Sequence, residues 1–229
     1  MSTLKKYVFE VIVIFIGITI SFIFEEWRNS RQDEQKEREQ YVLLLGDIKS
    51  DSLDIAEIFE GLNFEQPRMD SILRKGNYED IERFSIDMCA SFAFIKKQNL
   101  IKSFQSIGQS GDLKLFKSKD LINKCNNIIS RQNQLNVAID AEADIWVKYR
   151  SYLSKTYPDL ALFCIRYQSK GGIKGKITDR EINAFLKDAQ IMIYFNDLLW
   201  ISKAIKWNST QLDKDLSELK ALLETEVKK

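Results

Sequence analysis

Residues 7–24 read YVFEVIVIFIGITISFIF, and how this stretch is read decides the rest of the chain. Val11 to Phe24 is a run of fourteen residues without a charge, and Tyr7, Val8, Phe9 and the single Glu10 extend it to 18. As a helix rising 1.5 Å per residue, 18 residues span roughly 27 Å, close to the hydrocarbon thickness of a thin bilayer. Lys5 and Lys6 precede the run, Arg28 and Arg31 follow it, and Trp27 stands where an interfacial aromatic belongs. The expectation is one transmembrane helix. A cleaved signal peptide fits the charged start, but Phe22, Phe24, Glu25, Glu26 and Trp27 stand where small residues should mark a cleavage site. A buried core helix is the other reading, and the β-branched density and the N-terminal position speak against it.

Within the run, Glu10, Ile14, Gly17 and Ser21 share one helical face. Gly17 and Ser21 are small residues four apart, the spacing that lets two membrane helices approach closely. Glu10 lies about one turn inside the start, where it either snorkels to the headgroups or lines a contact between copies. This face is the first candidate surface for self-association.

Working outward, residues 28–40 (RNSRQDEQKEREQ) contain no apolar side chain. They are expected to continue the helix out of the membrane as a solvated stalk roughly 20 Å long. From Tyr41 onward Leu44, Leu45, Ile48, Leu53, Ile55, Ile58 and Leu62 mark an amphipathic helix entering a folded domain. Pro67 is expected to bound it, with a short helix at Met69–Leu73 before Gly76. Ile81–Phe94 alternates apolar and polar residues, but a lone strand would leave its backbone unpaired. A buried helix running on into Ile95–Phe104 is the more economical reading.

Ser110-Gly111 reads as a break. Ser118 is positioned to cap a long helix, with Asp120 in its first turn. Leu121, Cys125, Ile128, Leu135, Ile139, Trp146, Tyr149 and Leu153 recur along it, with a gap near Gln132, until Pro158. Gly171, Gly172, Gly175 and Lys176 resemble a phosphate loop only superficially, because Ile177 stands where Ser or Thr is required and no strand precedes them. Thr178 and Glu181 form a capping box for a final helix expected from Asp179 to about Glu226. In its second half Leu212 and Leu219 occupy one heptad position and Leu216 and Leu223 the other. That possible helix–helix seam either packs inside the chain, which is the favoured reading, or meets a second copy.

The 229 residues carry 34 Lys and Arg against 33 Asp and Glu, a net charge of +1 that points to neither nucleic acid nor an acidic substrate. Histidine is absent, which excludes histidine triads, ligands and proton shuttles. Cys89, Cys125 and Cys164 are widely spaced and odd in number, so three free thiols in a reducing compartment are expected. No cofactor or metal site is suggested.

Residues 9–51, with Glu10 before the apolar run, Gly17 within it, Trp27 closing it and a leucine-rich segment from Tyr41 to Asp51, resemble a family of uncharacterised bacterial single-span, membrane-anchored helical proteins. Phe104, Ile107, Ser110, Gly111 and Leu113 resemble a later segment of that family, and Glu25-Glu26 departs from it. The resemblance implies an anchor, a stalk and a helical domain, and no activity.

The fold expected is therefore all-α: a tail and transmembrane helix over 1–27, a charged stalk over 28–40, and over 41–229 a bundle of long antiparallel helices. The function expected is assembly, scaffolding or sensing at a membrane, as a homo-oligomer with the lipid bilayer as partner. Two alternatives are an oligomeric pore-forming or membrane-perturbing effector and a membrane-tethered enzyme without histidine. The location expected is the bacterial inner membrane. Arg28, Arg31, Lys36 and Arg38 after the span outnumber Lys5 and Lys6 before it, which puts the large domain in the cytoplasm.

Overall fold

The computed structural model describes residues 2–75, 88, 95–110, 112–168 and 178–228. The glycine- and lysine-containing loop and nearly all of Ile81–Phe94 lie outside them; Met88 alone of that segment is described, as a buried helical residue. The described residues are helical or irregular, with no strand among them. Helix α1 runs from Ser2 to Lys75, α2 from Lys102 to Ser110, α3 from Lys119 to Thr156, α4 from Pro158 to Gln168, α5 from Asp179 to Leu186 and α6 from Ala189 to Val227. A single 3₁₀ turn, Asp112–Leu115, links α2 to α3.

Three long helices make the bundle, with α6 between α1 and α3 and antiparallel to both. Near the start of the bundle, Lys124 of α3 pairs with Asp215 at 3.5 Å and with Glu218 of α6, and Arg131 reaches Asp215 at 2.7 Å. At the other end, Tyr149 stacks edge-on against Phe195 with centroids 5.4 Å apart. The α1–α6 register follows from Gln66 Nε2 donating to Ser202 Oγ at 3.3 Å and Lys206 Nζ donating to Asn63 Oδ1 at 3.1 Å.

Local chemistry sets several helix ends. Ser118 Oγ accepts the N–H of Leu121 at 3.3 Å and starts α3. Pro158 occupies the first position of α4, where a missing N–H costs nothing. Thr178 and Glu181 form a reciprocal capping box on α5.

Three expectations need correction. First, Pro67 does not end α1. A proline inside a helix loses one hydrogen bond and crowds the carbonyl four residues back. Glu65, Met69 and Ile72, fully buried on either side of it, hold that stretch helical by packing. Second, Ile95–Ile101 is irregular rather than helical, and α2 begins only at Lys102. Third, the final helix is two helices. The chain turns at Lys187 and Asp188, and Asp188 Oδ1 accepts the N–H groups of Gln190 and Ile191 at 2.8 and 3.3 Å to start α6 afresh.

The buried apolar residues fall into two cores. The first gathers Tyr41 to Leu62 of α1, Leu121 to Ile139 of α3 and Ile205 to Leu223 of α6, with Phe104, Ile107 and Phe116 from the α2 region. The second joins Met69 and Ile72 to Trp146, Tyr149, Leu153 and the α4–α5–α6 aromatic cluster. Buried polar residues separate them: Glu65 on α1, Glu142 on α3 and Ser202 on α6.

Candidate membrane anchor and helix interfaces

No described side chain in the first third of α1 is buried. Every described side chain from Tyr7 to Trp27 is exposed, including Phe9, Phe15, Phe22 and Phe24. This is the one helix among the described residues long and apolar enough to cross a membrane by length and composition, and none of its apolar window is buried. The hydroxyls in it are turned inward: Thr19 Oγ1 donates to the Phe15 carbonyl at 2.8 Å and Ser21 Oγ to the Gly17 carbonyl at 2.9 Å. Such back-bonding satisfies a hydroxyl where no water is at hand. Glu10, Ile14, Gly17 and Ser21 lie exposed along one face, and a β-carbon at Gly17 would meet no atom within 4 Å. Trp27 sits at the end of the run, 5.7 Å from the Phe24 ring, with the Arg31 guanidinium 5.7 Å above it. That cation–π stack is suited to the boundary between hydrocarbon and water.

Contact with the bundle begins inside the charged segment. Glu37 is buried; its Oε1 accepts the Tyr41 hydroxyl at 2.6 Å and the Lys117 N–H at 2.8 Å. Burial, reinforced by Glu37, holds the Tyr41 phenol far above its ordinary pKa. Of the segment read as a solvated stalk, the last turn is thus already docked.

The leucine seam faces inward. Leu212, Leu216, Leu219 and Leu223 are fully buried and pack in the first core with α1 and α3 of the same chain. They leave no surface for a second copy.

Between α1 and α3 lies the segment 95–101, held by side chains rather than by a backbone ladder. Asn136 reads the Gln98 peptide in both senses, its Oδ1 accepting the N–H at 2.9 Å and its Nδ2 donating to the C=O at 2.8 Å. Gln132 Oε1 accepts the Leu100 N–H, and Asp51 Oδ2 accepts the Ile101 N–H at 2.7 Å. Asp47 Oδ2 accepts both the N–H and the hydroxyl of Ser103 at 2.7 Å, capping α2 from a neighbouring helix. Ile101 has φ of 44°, a left-handed conformation costing a β-branched residue on the order of 1–2 kcal/mol. The gap in the apolar period of α3 at Gln132 is the place where this segment docks.

Two buried carboxyls are displaced towards neutrality. Burial pushes Asp51 up to about 6, opposed by the Ile101 N–H and aided by Asp47 and Asp54. Burial alone pushes Glu142 up to about 7, and its Oε1 has no hydrogen-bond partner among the described residues. Asp188 is held below its ordinary value: burial works against this, but the Tyr157 and Tyr152 hydroxyls and the N–H groups of Ile191 and Gln190 outweigh it.

The cysteines correct another expectation. Cys164 is disulfide-bonded, whereas Cys125 is a free, buried thiol that burial pushes up to about 12. Cys89 lies outside the described residues. No group of three or more Cys, Asp or Glu that could hold a metal ion occurs among the described residues.

One surface escaped the sequence reading. Ile193, Trp200 and Trp207 of α6 are 51%, 72% and 58% exposed. Their seven-residue spacing was as legible as that of the leucines behind them, but nothing in the sequence says which heptad faces out.

These features define a class: an all-helical bundle protein whose longest helix carries a free apolar segment at its N-terminal end. In comparisons with known proteins, the chain matches no family model, no curated protein and no solved structure.

Proposed function

We propose that this protein is a membrane-anchored helical scaffold, with residues 7–24 spanning the bilayer and the bundle standing off its surface. The observation that carries the reading is the continuity of α1. Every described side chain of its apolar N-terminal segment is exposed, while its second half is locked into both cores. A soluble chain has no use for a run of 18 largely aromatic and β-branched residues none of whose described side chains is buried, and a bilayer accounts for it. The resemblance of residues 9–51 to single-span bacterial anchors points the same way, towards a bacterial inner membrane.

We infer the orientation from Cys164 rather than from the basic residues. Four basic residues after the span against two and an amino terminus before it is a small bias. A disulfide at Cys164 persists in an oxidising compartment. The proposal therefore places the bundle outside the cytoplasm, the reverse of the expectation from charge.

Assembly rather than turnover is the mode of action that fits the described residues. Asp51 and Gln132, both buried, bind backbone, as do the partly buried Asp47 and Asn136, and Asp188 caps a helix. Deleting residues 7–24 tests the anchor. The truncated protein should leave the membrane fraction and stay helical; a truncated protein that still sediments with membranes overturns the reading.

A further inference from the structure

The bundle leaves one apolar stripe unused. Ile193, Trp200 and Trp207 follow one another at seven-residue intervals on α6, within about 40° of one line down the helix. They face away from Leu198, Ser202, Ile205 and Ser209, which are buried in the bundle. Tryptophan side chains dominate interfaces because each buries on the order of 150–250 Å². At their observed exposure the three residues offer roughly 400 Å² of apolar surface, as much as the largest patch on a typical monomer.

We propose that this stripe is where a second copy of the chain docks, α6 against α6 in parallel, about a two-fold axis along the membrane normal. The inference rests on the membrane-anchored reading above.

Three features select a second copy. The first is position. Trp200 lies near the level of Gln66, since Gln66 bonds Ser202, and Gln66 is 39 residues beyond Trp27. That is about 60 Å of helix, so the anchoring bilayer is out of reach. The second is area. Some 400 Å² from each partner is about 800 Å² in total, short of the roughly 1,200 Å² that a stable free complex needs. It suffices for copies confined to one membrane, where tethering raises the effective concentration. The third is geometry. Anchors hold neighbouring copies in one direction, and α6 is fixed antiparallel to α1, so the α6 helices of neighbours are parallel. Seven residues is the repeat at which parallel helices keep one seam facing the partner. Exposed Asp197 and Lys203 flank the stripe on opposite edges, six residues apart. In the two-fold pairing the acid of one copy and the lysine of the other fall on the same side, about 9 Å apart along the axis, a separation their combined side chains bridge.

The test uses full-length protein in membranes and in lipid vesicles. A single cysteine in place of Ile193 should give an oxidant-dependent band of twice the chain mass in membranes. In lipid vesicles, Trp200→Glu with Trp207→Glu should raise the protein-to-lipid ratio at which half the chains are dimeric by about tenfold or more, with helical content unchanged because both side chains are exposed. Adding this pair to the Ile193→Cys chain should abolish the cross-link. If the protein is membrane-bound but strictly monomeric, or if the tryptophan changes leave its mass distribution unaltered, the stripe is not the interface and the anchor reading survives. If the intact protein is soluble, the anchor reading itself has failed.

Discussion

Glu142 is the residue whose replacement tests the bundle's energetics most sharply. It lies on α3 between Ile139 of the first core and Trp146 of the second, almost wholly buried, with one carboxylate oxygen unpartnered among the described residues. Burial lifts its pKa from 4.5 to about 7. The folded state therefore binds this proton more tightly than the unfolded chain does. Its stability is greatest below about pH 4.5, falls as pH rises, and has lost the full contribution once pH passes about 7. At about 1.4 kcal/mol for each tenfold difference in proton affinity, the loss is roughly 3 kcal/mol. Glu142→Gln keeps the shape and removes the charge. The substitution should be nearly neutral at pH 4.5 and should stabilise the protein by about 2–3 kcal/mol at pH 8. Urea unfolding of the protein without residues 7–24, followed by circular dichroism at both pH values, reads this directly. Equal effects at the two pH values, or destabilisation at pH 8, would refute the argument that Glu142 is buried without charge compensation.

Asp51→Ala should destabilise the bundle by about 1–3 kcal/mol at pH 5, since it orphans the buried Ile101 N–H. The cost should shrink as pH rises from about 4 to about 6 and level off above that, because a buried carboxylate is removed as well; denaturant titration against pH checks both. Gly17→Leu should weaken self-association in detergent without changing helical content, because a side chain there meets nothing within the chain; sedimentation across a concentration series measures it. Orientation is read from a cysteine placed at Ser30. It should react with an impermeant thiol reagent outside intact cells, and protection there combined with labelling after lysis would return the bundle to the cytoplasm.

The legible parts of this fold were those written in adjacent residues. Ser118, Pro158 and the Thr178–Glu181 box act within one turn, so the sequence shows them directly. The apolar run of residues 7–24 was legible because it does not depend on packing, and none of its described side chains is buried. What escaped depends on partners distant in sequence. Pro67 is tolerated because Glu65, Met69 and Ile72 are held in the bundle. Residues 95–101 stay out of a helix because Asp51, Gln132 and Asn136, each at least 32 residues from the group it binds, take up their backbone groups. The break at Asp188 falls inside the span expected to be one helix, and the other oxygen of Asp188 accepts the Tyr152 and Tyr157 hydroxyls at 2.9 Å. Of the two heptads on α6, the leucines were noticed and prove internal, while the stripe of Ile193, Trp200 and Trp207 is the one left outside.

The central claim is that residues 7–24 cross a bilayer. Alkaline extraction of membranes carrying the full-length protein addresses it most directly, since high pH strips peripheral proteins and leaves spanning helices in place. The account predicts that the intact chain stays in the pellet through both 1 M-scale salt and alkaline washing, because burying the run in hydrocarbon removes its entire apolar surface from water. Release of most of the intact chain into the supernatant would contradict it.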